Sequence, residues 1–358
     1  MTTNTQGSDL SLIRKNAGFS LIEMAVVLVI AGLILGTVIG AMNVQVTGQR
    51  IKQTQERQQA IKEALINYIR QNSRLPCPAD ITAGFTGANA GEVPADCATS
   101  TIAVSSGAAR KGAVPWKTLG LTAESVQDAY GRLFTYIVTD EATTRDRNTI
   151  SGLRGNLAIF NAGTQSNACP TTTPCDNLGV VAIISHGPNG YGAFYGAATA
   201  LPTTSATAEE SENSDTANLT LYDDPYTVNG FDDRISWYKP SDLLQPLIAS
   251  GAIKDYAGYN NQQFERYISE LGRLVVPAAP CYSTNTTPAI SIDIEDAWGE
   301  DLEVVSPLPA TICLSNTPFT LKSKGFNRTA GDADDQKFRE TFTQADLFQL
   351  IQKLRGSP

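Results

Sequence analysis

The chain has 358 residues, of which 27 are lysine or arginine and 36 are aspartate or glutamate, and its net charge is −9 with histidine neutral. This acidic balance argues against a broad basic face of the kind that binds nucleic acid without sequence preference, so we expect no nucleic-acid partner. The length is sufficient for two folded domains in addition to an N-terminal segment.

An uncharged apolar stretch follows the polar N-terminus. The polar part ends with a basic pair, Arg14 and Lys15, and no charged residue occurs between Glu23 and Arg50. Residues 24–42, at ~1.5 Å per residue, give a helix of about 28 Å, roughly the thickness of a hydrocarbon core. The basic pair favours a cytoplasmic N-terminus, with the remainder of the chain on the other side. We therefore predict a membrane-spanning helix.

Glu23 stands at the start of this stretch. An isolated charge inside a bilayer costs at least ~2.5 kcal/mol, so this carboxylate needs a compensating partner. The alternative is a simple signal-anchor helix that carries the charge without a function.

The segment from Lys15 to Met24, with the sequence KNAGFSLIEM, resembles the processing site of type IV prepilins and of the pseudopilins of type II secretion. The resemblance implies that a prepilin peptidase cleaves after Gly18, so that residues 1–18 are a leader peptide. It also implies that the new amine of Phe19 is methylated, and that Glu23 neutralises the Phe19 amine of a neighbouring subunit in a filament.

The same resemblance implies a cellular location and a set of partners. The chain would be a single-pass protein of the inner membrane with a periplasmic head, and would then join a periplasmic or extracellular filament. Its partners would be other pilins or pseudopilins, the prepilin peptidase and an inner-membrane assembly platform. The sequence does not distinguish a type IV pilus from a type II secretion pseudopilus.

The first helix is predicted to continue beyond the membrane as a stalk. Apolar residues such as Ile61, Leu65 and Ile69 recur at helical spacing, while charged residues occupy the other face. The prolines of the segment 74–78 would end the helix. We predict one helix over residues 19–73.

The next segment, residues 74–250, has the pattern of a mixed α+β head. An irregular region over 79–112 precedes strand-like runs, and residues 200–220 read as a polar loop. The strand-like runs lie in 128–138, 157–160, 180–184 and 232–238, and a short helix is predicted over 241–248. The resemblance implies that the stalk helix packs on an antiparallel sheet in this head.

Residues 251–358 repeat the order of short motifs found in the first head. A packing helix over 260–271 would replace the stalk. The matches are Asp128-Ala129-Tyr130-Gly131 with Asp296-Ala297-Trp298-Gly299, Ser185 with Ser323, Asp232-Asp233 with Asp334-Asp335, and Asp242-Leu243-Leu244-Gln245 with Asp346-Leu347-Phe348-Gln349. Each match alone is weak, but their common order predicts a second, duplicated α+β head. The alternative is chance recurrence of turn signals.

The six cysteines all follow the predicted anchor, and an even number in an oxidising compartment predicts disulfides. Six cysteines permit fifteen pairings, and we favour neighbours in sequence. These pairs are Cys77–Cys97, Cys169–Cys175 and Cys281–Cys313. Zinc is the alternative, but the chain has no Cys-x-x-Cys pair and a single histidine, His186.

An acidic loop provides candidate ligands for a cation. The resemblance extends to the major pseudopilin of type II secretion, which binds calcium through the loop corresponding to residues 187–235. The candidate ligands here are Asp223, Asp224, Asn229, Asp232 and Asp233. Carboxylate and amide oxygens suit calcium, although the spacing is not that of an EF-hand. The alternative is a solvated acidic loop.

No arrangement of residues predicts catalysis. Ser185 and His186 are adjacent, and adjacent residues of a strand point to opposite faces, so they do not form a nucleophile–base pair. We therefore expect a structural subunit rather than an enzyme, namely a minor pilin or pseudopilin. A tip-located adhesin or binding module on the same anchor is the alternative.

Overall fold

The structure is a computed structural model. It describes residues 20–87, 89–146, 149–168, 177–194, 207–227, 230–285, 290–304, 308–325, 335–339 and 341–356, and for residues 34–44, 99 and 100 it describes the backbone but not the side chains. The chain divides into two compact units, Met1–Lys52 and Gln53–Pro358.

The described residues contain seven α-helices and fourteen strands. The helices are α1 (Leu21–Asn72), α2 (Cys97–Ser100), α3 (Asp140–Thr144), α4 (Ala208–Ser214), α5 (Pro240–Ala249), α6 (Tyr256–Leu274) and α7 (Gln344–Arg355). The strands are β1 (Ile102–Val104), β2 (Ala109–Ala113), β3 (Thr135–Thr139), β4 (Ala158–Asn161), β5 (Thr164–Gln165), β6 (Val181–Ser185), β7 (Thr220–Tyr222), β8 (Arg234–Tyr238), β9 (Val276–Ala278), β10 (Cys281–Ser283), β11 (Glu303–Val304), β12 (Thr311–Ile312), β13 (Leu321–Ser323) and β14 (Gln336–Lys337).

The first unit, from Ser20 to Lys52, consists of the beginning of α1. Its large apolar side chains are exposed, with Leu21 at 90% and Leu33 at 69%. Across the described residues, no helix has both the length and the apolar character needed to cross a membrane.

In the second unit, the last part of α1 covers a five-stranded antiparallel sheet of order β1-β2-β3-β6-β8. Ile61, Leu65 and Ile69 are fully buried in the core between helix and sheet, in the predicted helical stripe. The Gln58 amide also enters this interface and donates to the Ile183 carbonyl at 2.9 Å. The helix ends at Asn72, and Ser73 has a positive φ of 58°. The predicted α+β class, with a long N-terminal helix and antiparallel sheets, is thus confirmed.

Two elements of this unit differ from the prediction. The region 79–112 was expected to be irregular, but it contains β1 and most of β2. The sequence of β2, Ala-Arg-Lys-Gly-Ala, has no β-branched or aromatic residue, and the strand forms because it pairs along its whole length with β3. The expected polar loop over 200–220 contains α4, which begins where the Thr207 hydroxyl accepts a hydrogen bond from the Glu210 amide.

The remaining strands form three small sheets. Their orders are β5-β4-β7, β12-β10-β9 and β11-β13-β14, and the β4–β7 pair is parallel while the other pairs are antiparallel. The amphipathic helices α6 and α7 pack together over a separate core that includes Phe264, Leu271, Leu347 and Ile351.

A turn built on Asp128 precedes the central strands of the large sheet. The Asp128 Oδ1 atom accepts hydrogen bonds from the amides of Tyr130 and Arg132, at 2.8 and 3.0 Å. The Oδ2 atom accepts one from the Ser185 hydroxyl at 2.9 Å, which ties the turn to β6. Gly131 closes the turn with φ of 78°, a conformation that favours glycine.

A turn of the same construction is built on Asp296. The Asp296 Oδ1 atom accepts from the amides of Trp298 and Glu300, at 2.9 and 3.0 Å, and Oδ2 accepts from the Ser323 hydroxyl of β13 at 2.6 Å. Gly299 also has a φ of 78°. Both aspartates are almost completely buried, and each carboxylate is satisfied by two amides of its own turn and by one serine hydroxyl of a strand.

Candidate functional site

The start of α1 holds Glu23 in a capping box. The Ser20 amide donates to Glu23 Oε2 at 3.1 Å, and the Glu23 amide donates to Ser20 Oγ at 3.2 Å. The carboxylate is therefore folded back over the first turn, where the helix dipole is positive. Gly18 and Phe19 themselves lie outside the described residues.

Three buried carboxylates converge in the head. Glu210 comes from α4, and Asp232 and Asp233 precede β8; carboxylate oxygens of the three lie within 4.8 Å of one another. We call these three residues the acidic cluster. Their relative exposures are 0%, 7% and 1%.

Neighbouring donors hold the acidic cluster in place. Asn189 donates its side-chain amide to Glu210 Oε1 at 3.0 Å and its backbone amide to Asp232 Oδ2 at 3.0 Å. The Asn213 amide donates to Asp233 Oδ2 at 2.9 Å. Asn189 belongs to the turn 186–190, so this Gly-rich turn and α4 together form the walls of the cluster.

Two basic side chains near the acidic cluster donate hydrogen bonds to backbone carbonyls. Arg132 donates to the carbonyls of the 186–188 turn, and Lys111 Nζ donates to the Ser214 carbonyl at 2.6 Å. Burial lowers the pKa of Lys111 to about 8, although the charges of Asp215 and Asp233 oppose this shift.

Burial and the proximity of the three carboxylates affect the protonation of the acidic cluster. Burial, together with the charges of Glu210 and Asp233, raises the pKa of Asp232 to about 7. The Oδ1 atoms of Asp232 and Asp233 have no hydrogen-bond donor among the described residues, and the Asp233 Oδ1 atom lies 3.6 Å from His186 Nδ1. Since carboxylate oxygens of the acidic cluster lie within 4.8 Å of one another, a shared proton or a hard cation would stabilise the arrangement.

The calcium ligands predicted from sequence are only partly brought together. Asp232 and Asp233 belong to the acidic cluster, but Asp224 lies beyond β7, where it accepts a hydrogen bond from the Ala162 amide at 2.5 Å. The backbone amide of Asp223 bonds to the Phe160 carbonyl at 2.8 Å, and burial raises the pKa of its side chain. Asn229 lies outside the described residues.

Glu210 was not among the predicted ligands. The sequence contained a signal for it, because Thr207 and Glu210 have the S/T-x-x-E spacing that begins a helix. A helix starting there places Glu210 on its first turn and directs it inward.

Ser185 and His186 have separate partners. The Ser185 hydroxyl donates to Asp128, while His186 Nε2 lies 2.9 Å from the Thr135 hydroxyl oxygen. Both side chains are buried and help to fix the sheet to its turns.

Two of the three predicted disulfides are formed among the described residues, namely Cys77–Cys97 and Cys281–Cys313. The first lies just after the stalk helix and the second links β10 to the end of β12. The third pair, Cys169 and Cys175, lies outside the described residues.

Comparison with known protein families identifies a sequence motif near the N-terminus. Residues 13–39 match the family model described as the prokaryotic N-terminal methylation motif. The chain therefore carries a signal of the type found in type IV prepilins and pseudopilins. No curated protein and no solved structure gives a significant match to the chain.

Proposed function

We propose that the chain is a minor pilin or pseudopilin, a structural subunit of a type IV pilus or of a type II secretion pseudopilus. The methylation motif at residues 13–39 carries this proposal. Helix α1 supports it, since the helix begins within the motif with exposed apolar side chains and ends as the packing helix of the head. The subunit would be held in the inner membrane as a single-pass protein and then assembled through this helix. No catalytic role is proposed.

Assembly would follow from processing. Cleavage after Gly18 by a prepilin peptidase would create the Phe19 amine, and Glu23 of a neighbouring subunit would neutralise it. A buried ion pair of this kind mainly offsets the cost of desolvating two charges. Its principal effect would be to select the axial position of each subunit relative to its neighbours. The assembly platform and other pilins or pseudopilins would be the partners.

The second head, residues 251–358, would be a duplicate of the first head, residues 74–250. Several geometric correspondences support this proposal. The turns on Asp128 and Asp296 make the same hydrogen bonds. Seven residues after each aspartate begins the first of three neighbouring strands, in the order β3-β6-β8 in the first head and β11-β13-β14 in the second. The third strand of each set is followed by a helix with an aspartate capping box, α5 or α7. Helix α6 would replace the stalk in the second head.

The turns on Asp128 and Asp296 are expected to make similar contributions to the free energy of unfolding. Asp296→Ala should lower the free energy of unfolding by roughly 3 kcal/mol, because it leaves two amides and a buried hydroxyl without their acceptor. Asp128→Ala should have a similar effect. Urea unfolding of the full chain in detergent would measure both.

The control for these variants is Asp255→Ala, which removes the N-cap of α6, a hydrogen bond of 2.7 Å to the Gly258 amide. It should cost only about 1 kcal/mol. A loss for Asp296→Ala no greater than that of Asp255→Ala would contradict the role assigned to this turn.

A tip-located adhesin or binding module on the same anchor is the second candidate function. The separate core around α6 and α7 supports it, since a large additional head fits poorly within the body of a thin filament. Immunogold labelling of filaments tests both candidates. Label along the shaft favours the structural subunit and label at tips favours the adhesin, whereas filaments without any label would refute both.

We also propose that the acidic cluster binds calcium. Three carboxylates suit this ion, and backbone carbonyls or waters would complete its shell of six to eight oxygens. The second head provides a comparison, because Lys322 Nζ bonds there to Asp335, the counterpart of Asp233, and lies 3.6 Å from Glu303. The residue that corresponds to Lys322 in the first head is the apolar Ile184. In the second head the Lys322 ammonium group thus lies beside Asp335, and in the first head a bound calcium ion would take the corresponding place.

A further inference from the structure

A cavity of about 300 Å³ opens in the second unit between the end of α1 and helix α6. Tyr259 and Gln263 of α6 line one side, and Ser73, which follows α1, and Ser151 line the other. This volume lies at the lower end of the range for small-molecule sites. The cavity is distinct from the acidic cluster, with which it shares no residue.

Buried polar groups line this cavity. Gln263 is only 6% exposed, and the Ser151 hydroxyl is buried without a hydrogen-bond partner among the described residues. A buried amide or hydroxyl without a partner is costly, and native proteins normally satisfy such groups. These groups point to a ligand that can both donate and accept hydrogen bonds.

The Tyr259 hydroxyl adds a donor to this set. Burial, reinforced by the charges of Asp146 and Glu295, raises the pKa of Tyr259 to about 12. The hydroxyl therefore remains protonated at neutral pH and can donate, while its ring offers an apolar wall for a pyranose face.

The rim of the cavity is basic. Arg70 and Lys254 are exposed there, and the lining contains no acidic residue among the described residues. Lys254 donates to Gln262 at 2.6 Å, which holds its ammonium group near the opening, while Arg70 makes no ion pair with any described residue. An arginine beside a polar cavity is suited to a planar carboxylate, to which it can bind with two hydrogen bonds.

We infer that this cavity binds an acidic monosaccharide unit of the uronic-acid type. Arg70 and Lys254 hold its carboxylate at the rim, and Gln263, Ser151 and Tyr259 bond its hydroxyls inside. The inference does not depend on assembly of the chain into a filament. It assigns to the head a ligand that the N-terminal signal does not indicate.

The test is titration of the full chain with glucuronate and with glucose, in a detergent without a sugar head group, followed by microscale thermophoresis. Glucuronate should bind saturably and at least about tenfold more tightly than glucose, since a charge-assisted bidentate contact is lost with the neutral sugar. Arg70→Gln and Gln263→Leu should each weaken glucuronate binding about tenfold.

Arg74→Gln is the matched control. Arg74 lies four residues from Arg70, is also exposed and does not line the cavity, so this variant should bind as the unchanged chain does. Thermal unfolding of each variant verifies folding. The inference is overturned if glucuronate does not saturate, if glucose binds equally well, or if folded Arg70→Gln and Gln263→Leu variants retain full affinity.

Discussion

Replacing Glu23 by valine is expected to leave membrane insertion intact and to remove the chain from filaments. Valine is apolar, so the helix enters the bilayer at least as readily. In a filament, however, the Phe19 amine of a neighbouring subunit then stays unpaired in an apolar environment. A cost of at least ~2.5 kcal/mol corresponds to a decrease of about fiftyfold or more in incorporation. Quantitative immunoblots of the membrane and sheared-filament fractions measure the two quantities.

Two further variants separate charge pairing from helix capping. Glu23→Gln keeps a side chain that can complete the capping box with Ser20, but it removes the charge. Ser20→Ala removes part of the cap and keeps the charge. We expect Glu23→Gln to be lost from filaments and Ser20→Ala to be incorporated. Normal incorporation of Glu23→Gln would show that capping, not charge pairing, is the role of this residue.

Elements with strong local signals were predictable from the sequence. The stripe of Ile61, Leu65 and Ile69 indicated the stalk helix, and its predicted end at residue 73 is one residue from the observed end at Asn72. Strand β6, with the sequence Val-Ala-Ile-Ile-Ser, was predicted because buried strands are rich in β-branched residues.

Elements that depend on distant partners were not predictable. Strand β2 has no intrinsic preference for extended structure and owes its conformation to β3. Two of the three residues of the acidic cluster were predicted, since Asp232 and Asp233 are adjacent in sequence, whereas Glu210 reaches them only through α4. The polar composition of α4 made that helix hard to predict, because its Ser and Asn residues favour loops and caps over helix interiors.

The repeated turns show what sequence motifs can and cannot convey. Asp-Ala-aromatic-Gly is a weak signal because it occurs in many turns. The two turns are comparable because each aspartate accepts a hydrogen bond from a serine hydroxyl further along the chain. The serine is Ser185, 57 residues after Asp128, in one turn and Ser323, 27 residues after Asp296, in the other. The spacing between aspartate and serine differs between the two turns, so a fixed sequence period would not detect their similarity.

Calcium is expected to stabilise the head through the acidic cluster. At a free concentration a hundredfold above the dissociation constant, binding adds about 2.7 kcal/mol, which raises the melting temperature by roughly 5 °C. Asp233→Asn and Glu210→Gln should lose this response, because each removes one of the three carboxylates. Asp224→Asn is the matched control, since Asp224 lies outside the cluster and its variant should respond fully. Differential scanning fluorimetry of the full chain with calcium or EDTA measures the shifts.

The pH dependence provides an independent signature of the same cluster. Without calcium, the folded-state pKa of Asp232 is about 7, above the ordinary value of 3.8, so the folded chain binds more protons than the unfolded chain between these limits. The contribution of Asp232 to stability therefore decreases as the pH rises from about 4 to about 7. Calcium competes with this proton, so in its presence the stability should decrease less as the pH approaches about 7. An identical calcium response in Asp233→Asn, or an unchanged pH profile with calcium, would refute binding at the acidic cluster.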